Sequence, residues 1–442
     1  MSAPRGGHWE RADAAGSSLR WGSLSPSEYL IQVIKHFVRG RRSGWLTGPL
    51  RNTAREEPEE RAMEFVNDDR PAKPFIVGQR VELQLLTTLK CNLRCSYCSL
   101  GVGEVLNSQK HAAYSIDQLE TFVRTHLEDK EVYITLYGGE PTLNAKFALE
   151  LMERFPTRRF NLRTNGTLLH RVPERLLRRL SNVMVSVDGG ETVTDRFRGE
   201  AVYRKVLDNV AAIRPVMPGT LTARVTWWSG ETTFDDFDEL ARTFDYVYFQ
   251  FAQDAGAYSA ESVKGKKRVI SELVARFFSG DALYAIVPIM GIVRNKVIPS
   301  TIEELSGGLT QCRVSTSLLN VMPDGKIFPC PDMLYDPAQQ QGDVAASWVR
   351  RSALQPHPAM PCKDCEAYHF CRGNRMKNLH LAYVKNDRAW RTQVTEPTCD
   401  LIRFLGQEVE RHDPRGWYAA IPVPVRKKLA DAEVYEFCEV MP

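Results

Sequence analysis

The sequence predicts an α/β protein, an open, partial (β/α)6 barrel followed by a small cysteine-rich α+β region. Three observations predict this. First, strand-like apolar runs recur at 81–86, 132–137, 160–164, 182–187, 222–227 and 246–251, with helix-like segments between them. Strands and helices alternating in series make a parallel sheet with right-handed crossovers, and six units fall short of the eight that close a barrel. Second, a polar or glycine-rich signature follows each run directly. Third, the ten cysteines form one group at 91–98 and another from 312 onward, which divides the chain.

The elements follow in order. Residues 1–20 are polar and rich in Gly, Ser and Arg, and read as disordered. They have no apolar signal-peptide core, so a cytoplasmic location is expected. Ser25 to Glu28 form a capping box with Pro26 at the first helical position, and Leu30, Val33, Ile34 and Phe37 share one helical face behind it. Charged, Pro-containing residues 51–72 read as a linker, and residues 1–75 as an N-terminal extension with one helix. Residues 76–285 hold the barrel. Ser115 with Gln118 caps a helix striped by Ile116, Leu119, Phe122, Val123 and Leu127, and Val202, Val206, Val210 and Ile213 stripe another. Segments 144–155, 173–180, 234–244 and 265–278 are further helix candidates. The cysteine-rich domain is expected over 300–402, with a tail over 403–442.

Composition bounds the function. At 43% hydrophobic and 25% charged, the chain reads as a soluble globular protein with a sizeable core. A net charge of +4 over 442 residues argues against a dedicated nucleic-acid binder. No apolar run approaches 18 residues, so no membrane span is expected.

The chemistry gathers on Cys91, Cys95 and Cys98, three thiols within eight residues behind the first strand. In a reducing compartment clustered thiols read as metal ligands rather than disulfides. Three is one short of the four that close a zinc or iron–sulfur site, so the centre either keeps an open position or borrows a distant ligand as a zinc site. After the second run comes Tyr137-Gly138-Gly139-Glu140-Pro141, after the third Thr164-Asn165-Gly166, and after the fourth Ser186-Val187-Asp188-Gly189. Trp227 and Trp228 follow the fifth run and Gln250 to Asp254 the sixth. Barrels of this class build their sites from the loops at that end of the strands.

The Cys91/Cys95/Cys98 spacing, Tyr97 before the last thiol, and Gly138-Gly139-Glu140-Pro141 resemble the radical SAM enzymes, over about residues 80–255. The resemblance implies a TIM-like partial barrel and a [4Fe–4S] cluster held by the three thiolates, with S-adenosylmethionine (SAM) chelating the fourth iron. It implies reductive cleavage of SAM to a 5′-deoxyadenosyl radical that abstracts hydrogen from substrate. Soft thiolates suit that cluster. Gly138 and Gly139 would allow close backbone approach to the methionyl group, and Glu140 would offer a carboxylate to its ammonium. Tyr97 would flank the adenine, and Ser186 and Asp188 would lie near the methionyl carboxylate or the ribose. Arg198 and Arg224 are candidates for the carboxylate, and Asn165 for the lining. No catalytic side chain beyond the cluster stands out.

In the C-terminal region, Pro323-Asp324-Gly325 reads as a hairpin turn that delivers Cys330. With Cys312, Cys362, Cys365, Cys371 and Cys399, this resembles the SPASM/twitch extension, which carries auxiliary [4Fe–4S] clusters, over about residues 310–402. SPASM domains place a thiol four residues after the position of Cys371, and Arg375 stands there instead. Cys362, Cys365, Cys371 and Cys399 still suffice for one auxiliary cluster. The shorter twitch grouping of Cys312, Cys330, Cys362 and Cys365 is an alternative, as is a structural zinc knuckle. His369 reads as a packing residue, and Cys438 as a free thiol.

The resemblance implies oxidative modification of a peptide or protein, as in maturases of ribosomally made peptides, fed by an external one-electron reductant of flavodoxin or ferredoxin type. Small-molecule oxidation or epimerisation, of a sugar or aminocyclitol, is the alternative. A non-catalytic metal-binding scaffold is the reading from another class.

Overall fold

A computed structural model describes residues 80–98, 111–156, 159–280, 282–298 and 312–437, apart from positions 316, 335, 351, 353 and 355. The chain divides into Met1–Phe65 and Val66–Pro442, and every described residue belongs to the second unit. The helix expected behind Ser25, the linker at 51–72 and Cys438 lie outside the described residues.

Six parallel strands build the barrel: β1 (Arg80–Thr88), β2 (Glu131–Gly138), β3 (Arg159–Thr164), β4 (Leu180–Ser186), β5 (Thr220–Trp227) and β6 (Tyr246–Phe251). Each pairs in parallel with the next, so the six-unit partial barrel stands as expected. Helices cover one face. Helix Ile116–His126 starts at the expected capping box, in which Gln118 N donates to Ser115 Oγ (3.1 Å) and Ser115 N to Gln118 Oε1 (2.8 Å). Its buried stripe is Leu119, Phe122 and Val123. The helix expected over 173–180 closes at Glu174–Leu177, because β4 already begins at Leu180. The one expected from 265 starts earlier, at Ala260, where Ser259 Oγ accepts from Ser262 N (3.1 Å).

Strand alternation sorts the side chains. Leu83, Leu85, Ile134, Leu136, Phe160, Leu162, Val183 and Val185 join the core shared with the helices. On the other pleat several of their neighbours, among them Glu82, Gln84, Thr135, Asn161 and Asn182, are buried and polar. Asn320, Gln84, Thr135, Asn161 and Asn182 stand side by side in register across five strands. The amides of Gln84 and Asn161 are buried with no hydrogen-bond partner on either the nitrogen or the oxygen.

The cysteine-rich region adds to the same sheet. Strand β7 (Leu318–Val321) pairs in parallel with β1, and β8 (Lys326–Phe328) returns antiparallel to β7. The predicted turn joins them, with Gly325 at φ 91° and its N–H on Met322 O (2.9 Å). Two short strands, β9 (Gly342–Asp343) and β10 (Trp348–Val349), follow. The result is one ten-stranded sheet in the order β10-β9-β8-β7-β1-β2-β3-β4-β5-β6. The strands of the C-terminal region therefore form no separate sheet, because β1 offers them a free edge. Among the described residues no helix is long and apolar enough to cross a membrane.

Candidate active site

The loop Cys91–Cys98 leaves β1 and is held from two sides. On one side, Gly139 N donates to Thr88 O and Glu140 N to Lys90 O, both at 2.8 Å. A Cβ on Gly138 (φ 136°) would stand 2.2 Å from Thr88 O, and one on Gly139 would stand 2.3 Å from Lys90 O. Glycine is required here so that the end of β2 can press on the backbone that carries Cys91. On the other side, Ser96 N donates to Phe197 O (3.1 Å).

Glu140 is fully buried, and its carboxylate ties the end of β2 to the end of β3. Oε1 accepts from Thr142 N (3.1 Å), Thr142 Oγ1 (2.6 Å) and Thr164 Oγ1 (2.8 Å), and Oε2 from Asn165 N (2.7 Å). Burial pushes its carboxyl up, against the pull of these donors. Asn165 continues the chain of contacts, its Nδ2 directed at Asn92 Oδ1 (2.9 Å) and at Cys91 Sγ (3.7 Å).

Asp188 is the second hub. Its carboxylate receives the Arg198 fork, Nε on Oδ2 (2.8 Å) and Nη2 on Oδ1 (2.9 Å), together with Thr226 N (3.1 Å) and the Tyr97 hydroxyl. Both ions are almost wholly buried. Burial opposes the Arg198 charge, but Asp188, Tyr97 and Cys95 outweigh it and raise its pKa. Arg198 thus spends its fork on Asp188, and the pair fixes Tyr97. The Tyr97 ring stacks on Trp228 (5.9 Å between centroids, 22°), leans on Phe197 (5.7 Å) and lies under the Arg198 guanidinium (5.5 Å). The two tryptophans separate: Trp227 packs in the core on Phe237 and Phe249, while Trp228 joins the Tyr97 stack. Trp228 O in turn accepts from Lys266 Nζ (2.8 Å), a buried lysine whose ammonium also meets Ala257 O (2.6 Å), Ser262 Oγ (3.2 Å) and the Tyr258 ring. Sequence reasoning missed Lys266; its signal was a place on the apolar stripe with Val269, Ile270 and Leu273.

Ser186 is half-buried at the end of β4 and pairs in register with Arg224. Arg224 Nη2 donates to Gln250 Oε1 (2.7 Å).

The three thiols are half-exposed and feel one another. Burial raises Cys91, helped by the charges of Glu140 and Cys98. Burial pushes Cys95 up to about 11, opposed by Arg198 and helped by Cys98 and Cys91. Among the described residues, no three His, Cys, Asp or Glu converge tightly enough to hold a single ion. Three soft thiolates on one loop suit iron–sulfur ligation, in which each would bind a different iron.

In the second cysteine group, burial pushes Cys371 and Cys399 up to about 12, and Cys362 to about 11. Cys371 feels Cys399, Cys362 and Cys365, whereas buried Cys330 feels Cys312. Electrostatic proximity thus sets the last four thiols apart from the first pair, although Cys362 also packs against the cluster holding Cys312 and Cys330. His369 hydrogen-bonds Glu366 O (2.9 Å) and Lys296 Nζ (3.1 Å).

Residues 85–244 match the family model of the Radical SAM superfamily. These residues form a radical SAM domain. Among curated relatives, a probable GTP 3',8-cyclase of Methanocella arvoryzae is 31% identical over 176 residues, 38% of this chain and 54% of that protein. A cysteine-type anaerobic sulfatase-maturating enzyme of Clostridium novyi is 25% identical over 138 residues, 27% of this chain and 36% of the other. The chain therefore spans about half the length, or less, of these curated relatives. Two solved structures share the fold. One, described as native anSMEcpe with bound AdoMet, has TM-score 0.57 and 19% identity, covering 75% of this chain and 97% of that one. The other is SuiB of Streptococcus suis bound to precursor peptide SuiA, with TM-score 0.50 and 14% identity, covering 83% and 81%. A radical SAM domain implies a [4Fe–4S] cluster and SAM.

Proposed function

We propose that this radical SAM chain cleaves SAM reductively at the Cys91, Cys95 and Cys98 site and oxidatively modifies a peptide or protein. The observation that carries the reading is the three-thiol loop clamped between Gly138-Gly139-Glu140 and the Asp188–Arg198–Tyr97 hub. The structural kinship with a peptide-bound enzyme and the curated likeness to a sulfatase-maturating enzyme support the choice of substrate class. When bound, cluster and SAM supply sulfonium cleavage and hydrogen-atom abstraction. The protein's own part is positioning. Cys91, Cys95 and Cys98 give the thiolates, and Asn165 Nδ2 donates toward Cys91 sulfur. Glu140 has three acceptances on Oε1 and one on Oε2, which leaves capacity on Oε2 for an ammonium group. Gly138 and Gly139 set the loop backbone, and Ser186 lines the mouth. Tyr97 offers an aromatic face, with Asp188 and Arg198 as its positioning residues.

We further propose that Cys362, Cys365, Cys371 and Cys399 hold an auxiliary [4Fe–4S] cluster, which would take the electron left on an oxidised substrate. Cys312 and Cys330 would be left as a separate pair. An external reductant of flavodoxin or ferredoxin type would deliver the first electron.

A second reading, oxidation or rearrangement of a small molecule, is favoured by the likeness to GTP 3',8-cyclases. One experiment separates the two. Anaerobically reconstituted, reduced protein should form 5′-deoxyadenosine, and Cys95→Ala should not. Stimulation by candidate peptides supports the first reading, and stimulation by GTP or a sugar alone overturns it. Equal, background product from the wild type and Cys95→Ala would reject the enzyme reading altogether.

A further inference from the structure

Lys266 is fully buried, and its amine is shared between two loops at the barrel mouth. Nζ donates to Ala257 O (2.6 Å), beyond β6, and to Trp228 O (2.8 Å), beyond β5. The third acceptor, Ser262 Oγ (3.2 Å), lies one turn earlier on the same helix, Ala260–Phe278. All three acceptors are neutral. Burying an ammonium without a countercharge is costly, so stability alone does not account for Lys266. What the amine does is draw carbonyls of two different loops to one point. Two N–H groups suffice for that, whether the amine is charged or neutral.

The first of these loops carries the Trp228 ring, stacked on Tyr97 (5.9 Å, 22°) and tilted against Phe197 (5.6 Å). It has no slack. A Cβ on Gly230 would stand 2.9 Å from Ser262 Cα, and one on Gly265 would stand 2.8 Å from Gly230 O. Loop and helix therefore meet backbone to backbone. The second loop lies against the indole, where a Cβ on Gly256 would stand 3.7 Å from Trp228 Cζ2. The support is itself anchored. Lys266 Nζ sits over the Tyr258 ring (4.8 Å), and the Tyr258 hydroxyl meets Ala252 O (2.5 Å) and Thr398 Oγ1 (2.7 Å). The neighbouring Lys267 pairs with Asp400 (2.7 Å). Thr398 and Asp400 flank Cys399, so the prop under Trp228 stands on the helix Glu396–Glu410 that carries this thiol.

We propose that Lys266 is a positioning residue: by holding Trp228 O and Ala257 O together it fixes the Trp228 ring on Tyr97, and so shapes the aromatic wall that receives SAM. The proposal rests on the reading of Tyr97 as the ring that flanks the adenine, and extends it to a second ring and its prop. A base stacked on an aromatic side chain gains about 1–3 kcal/mol, so a freed Trp228 should cost SAM about tenfold in affinity.

The test uses the reconstituted full-length chain. The emission of Trp228 is taken as the difference between each protein and its Trp228→Phe counterpart, and its quenching by acrylamide is measured. SAM affinity is measured by equilibrium dialysis. Lys266→Met should raise the quenching constant of Trp228 and weaken SAM about tenfold. Trp228→Ala should weaken SAM as much, and Lys266→Met/Trp228→Ala no further, because the lysine acts through the ring. Gly230→Ala pushes the same loop off the helix; it should reproduce both effects, and it carries the test if Lys266→Met does not fold. Leu273→Ala opens a cavity on the buried stripe of the same helix, and should lower the melting temperature while SAM affinity stays unchanged. Unchanged quenching in Lys266→Met, additive losses in the double variant, or an equal loss of SAM affinity in Leu273→Ala overturns the proposal. If the wild type binds no SAM while Lys266→Met still exposes Trp228, the SAM reading fails and the hold on the ring stands.

Discussion

Removing the Arg198 side of the Asp188 pair should have a large and specific cost. In Arg198→Gln, Asp188 keeps Thr226 N and the Tyr97 hydroxyl but loses two charge-assisted bonds. The carboxylate is fully buried, so water cannot replace them. Breaking one side of a buried ion pair costs about 3–5 kcal/mol. Unfolding of the unit Val66–Pro442, at roughly 2.1 cal/mol/K per residue, carries an entropy of about 0.8 kcal/mol/K. The expected fall in melting temperature is therefore about 4–6 °C. The damage should also reach Tyr97, whose ring then lacks the cation beside it. Calorimetry of the full chain should show the shift, and the double variant Asp188→Asn/Arg198→Gln should recover part of it, because neither charge is then stranded. The scheme is refuted if Arg198→Gln melts within 1 °C of the wild type, or if the double variant is as unstable as the two single changes combined.

Other consequences are open to direct measurement. Gly139→Ala drives a methyl group to 2.3 Å from Lys90 O, so iron bound by the Cys91–Cys98 loop after reconstitution should fall severalfold; unchanged iron content would show that the loop yields freely. Cys371→Ala or Cys399→Ala should remove about four irons per chain, counted by iron and sulfide analysis, without removing the signal of the first cluster. Burial pushes Lys266 down to about 7, against about 10.4 when unfolded, so between pH 7 and 9 the unfolded chain holds a proton that the folded chain releases. Wild-type stability relative to Lys266→Met should thus rise with pH, by about 2 kcal/mol over that window, and a flat or falling difference in denaturation midpoints would contradict it. Glu140→Gln puts an amide NH2 where the carboxylate accepted hydrogen bonds, so about 1–3 kcal/mol of stability should be lost, together with SAM affinity, by equilibrium dialysis.

How much of this was legible in the sequence depends on how local each signal is. The strands emerged within about two residues because burial on the helix side demands apolar residues at alternate positions, from Leu83 and Leu85 through Val183 and Val185. Ser115 and Gln118 announced their helix because a capping box is complete within four residues. The box of Thr233 with Asp236 was equally local and went unused. The cysteine spacing was legible because thiols on one loop must be close in sequence. Long-range pairings were not. Nothing around Asp188 names Arg198, ten positions on and across a turn, as its partner, nor Tyr97 as the third member. Arg375 was seen as a missing thiol, but its reach to Gln250 spans 125 positions and leaves no local trace. Gly138 and Gly139 were marked for close approach to a ligand, and the atoms nearest them belong to the protein's own backbone at Thr88 and Lys90.

The parallel pairing of β7 with β1 has a consequence for anyone who would shorten the protein. Strand β1 lies between β7 and β2, and it carries the first cysteine loop at its end. A fragment stopping before residue 312 would leave one long side of β1 with bare amide and carbonyl groups, flanked by Leu83 and Leu85. Such an edge recruits strands from other molecules. The segment that matches the superfamily is thus a poor candidate for expression alone: it should aggregate through β1, and adding back the hairpin of residues 317–329 should restore solubility before any cluster is loaded.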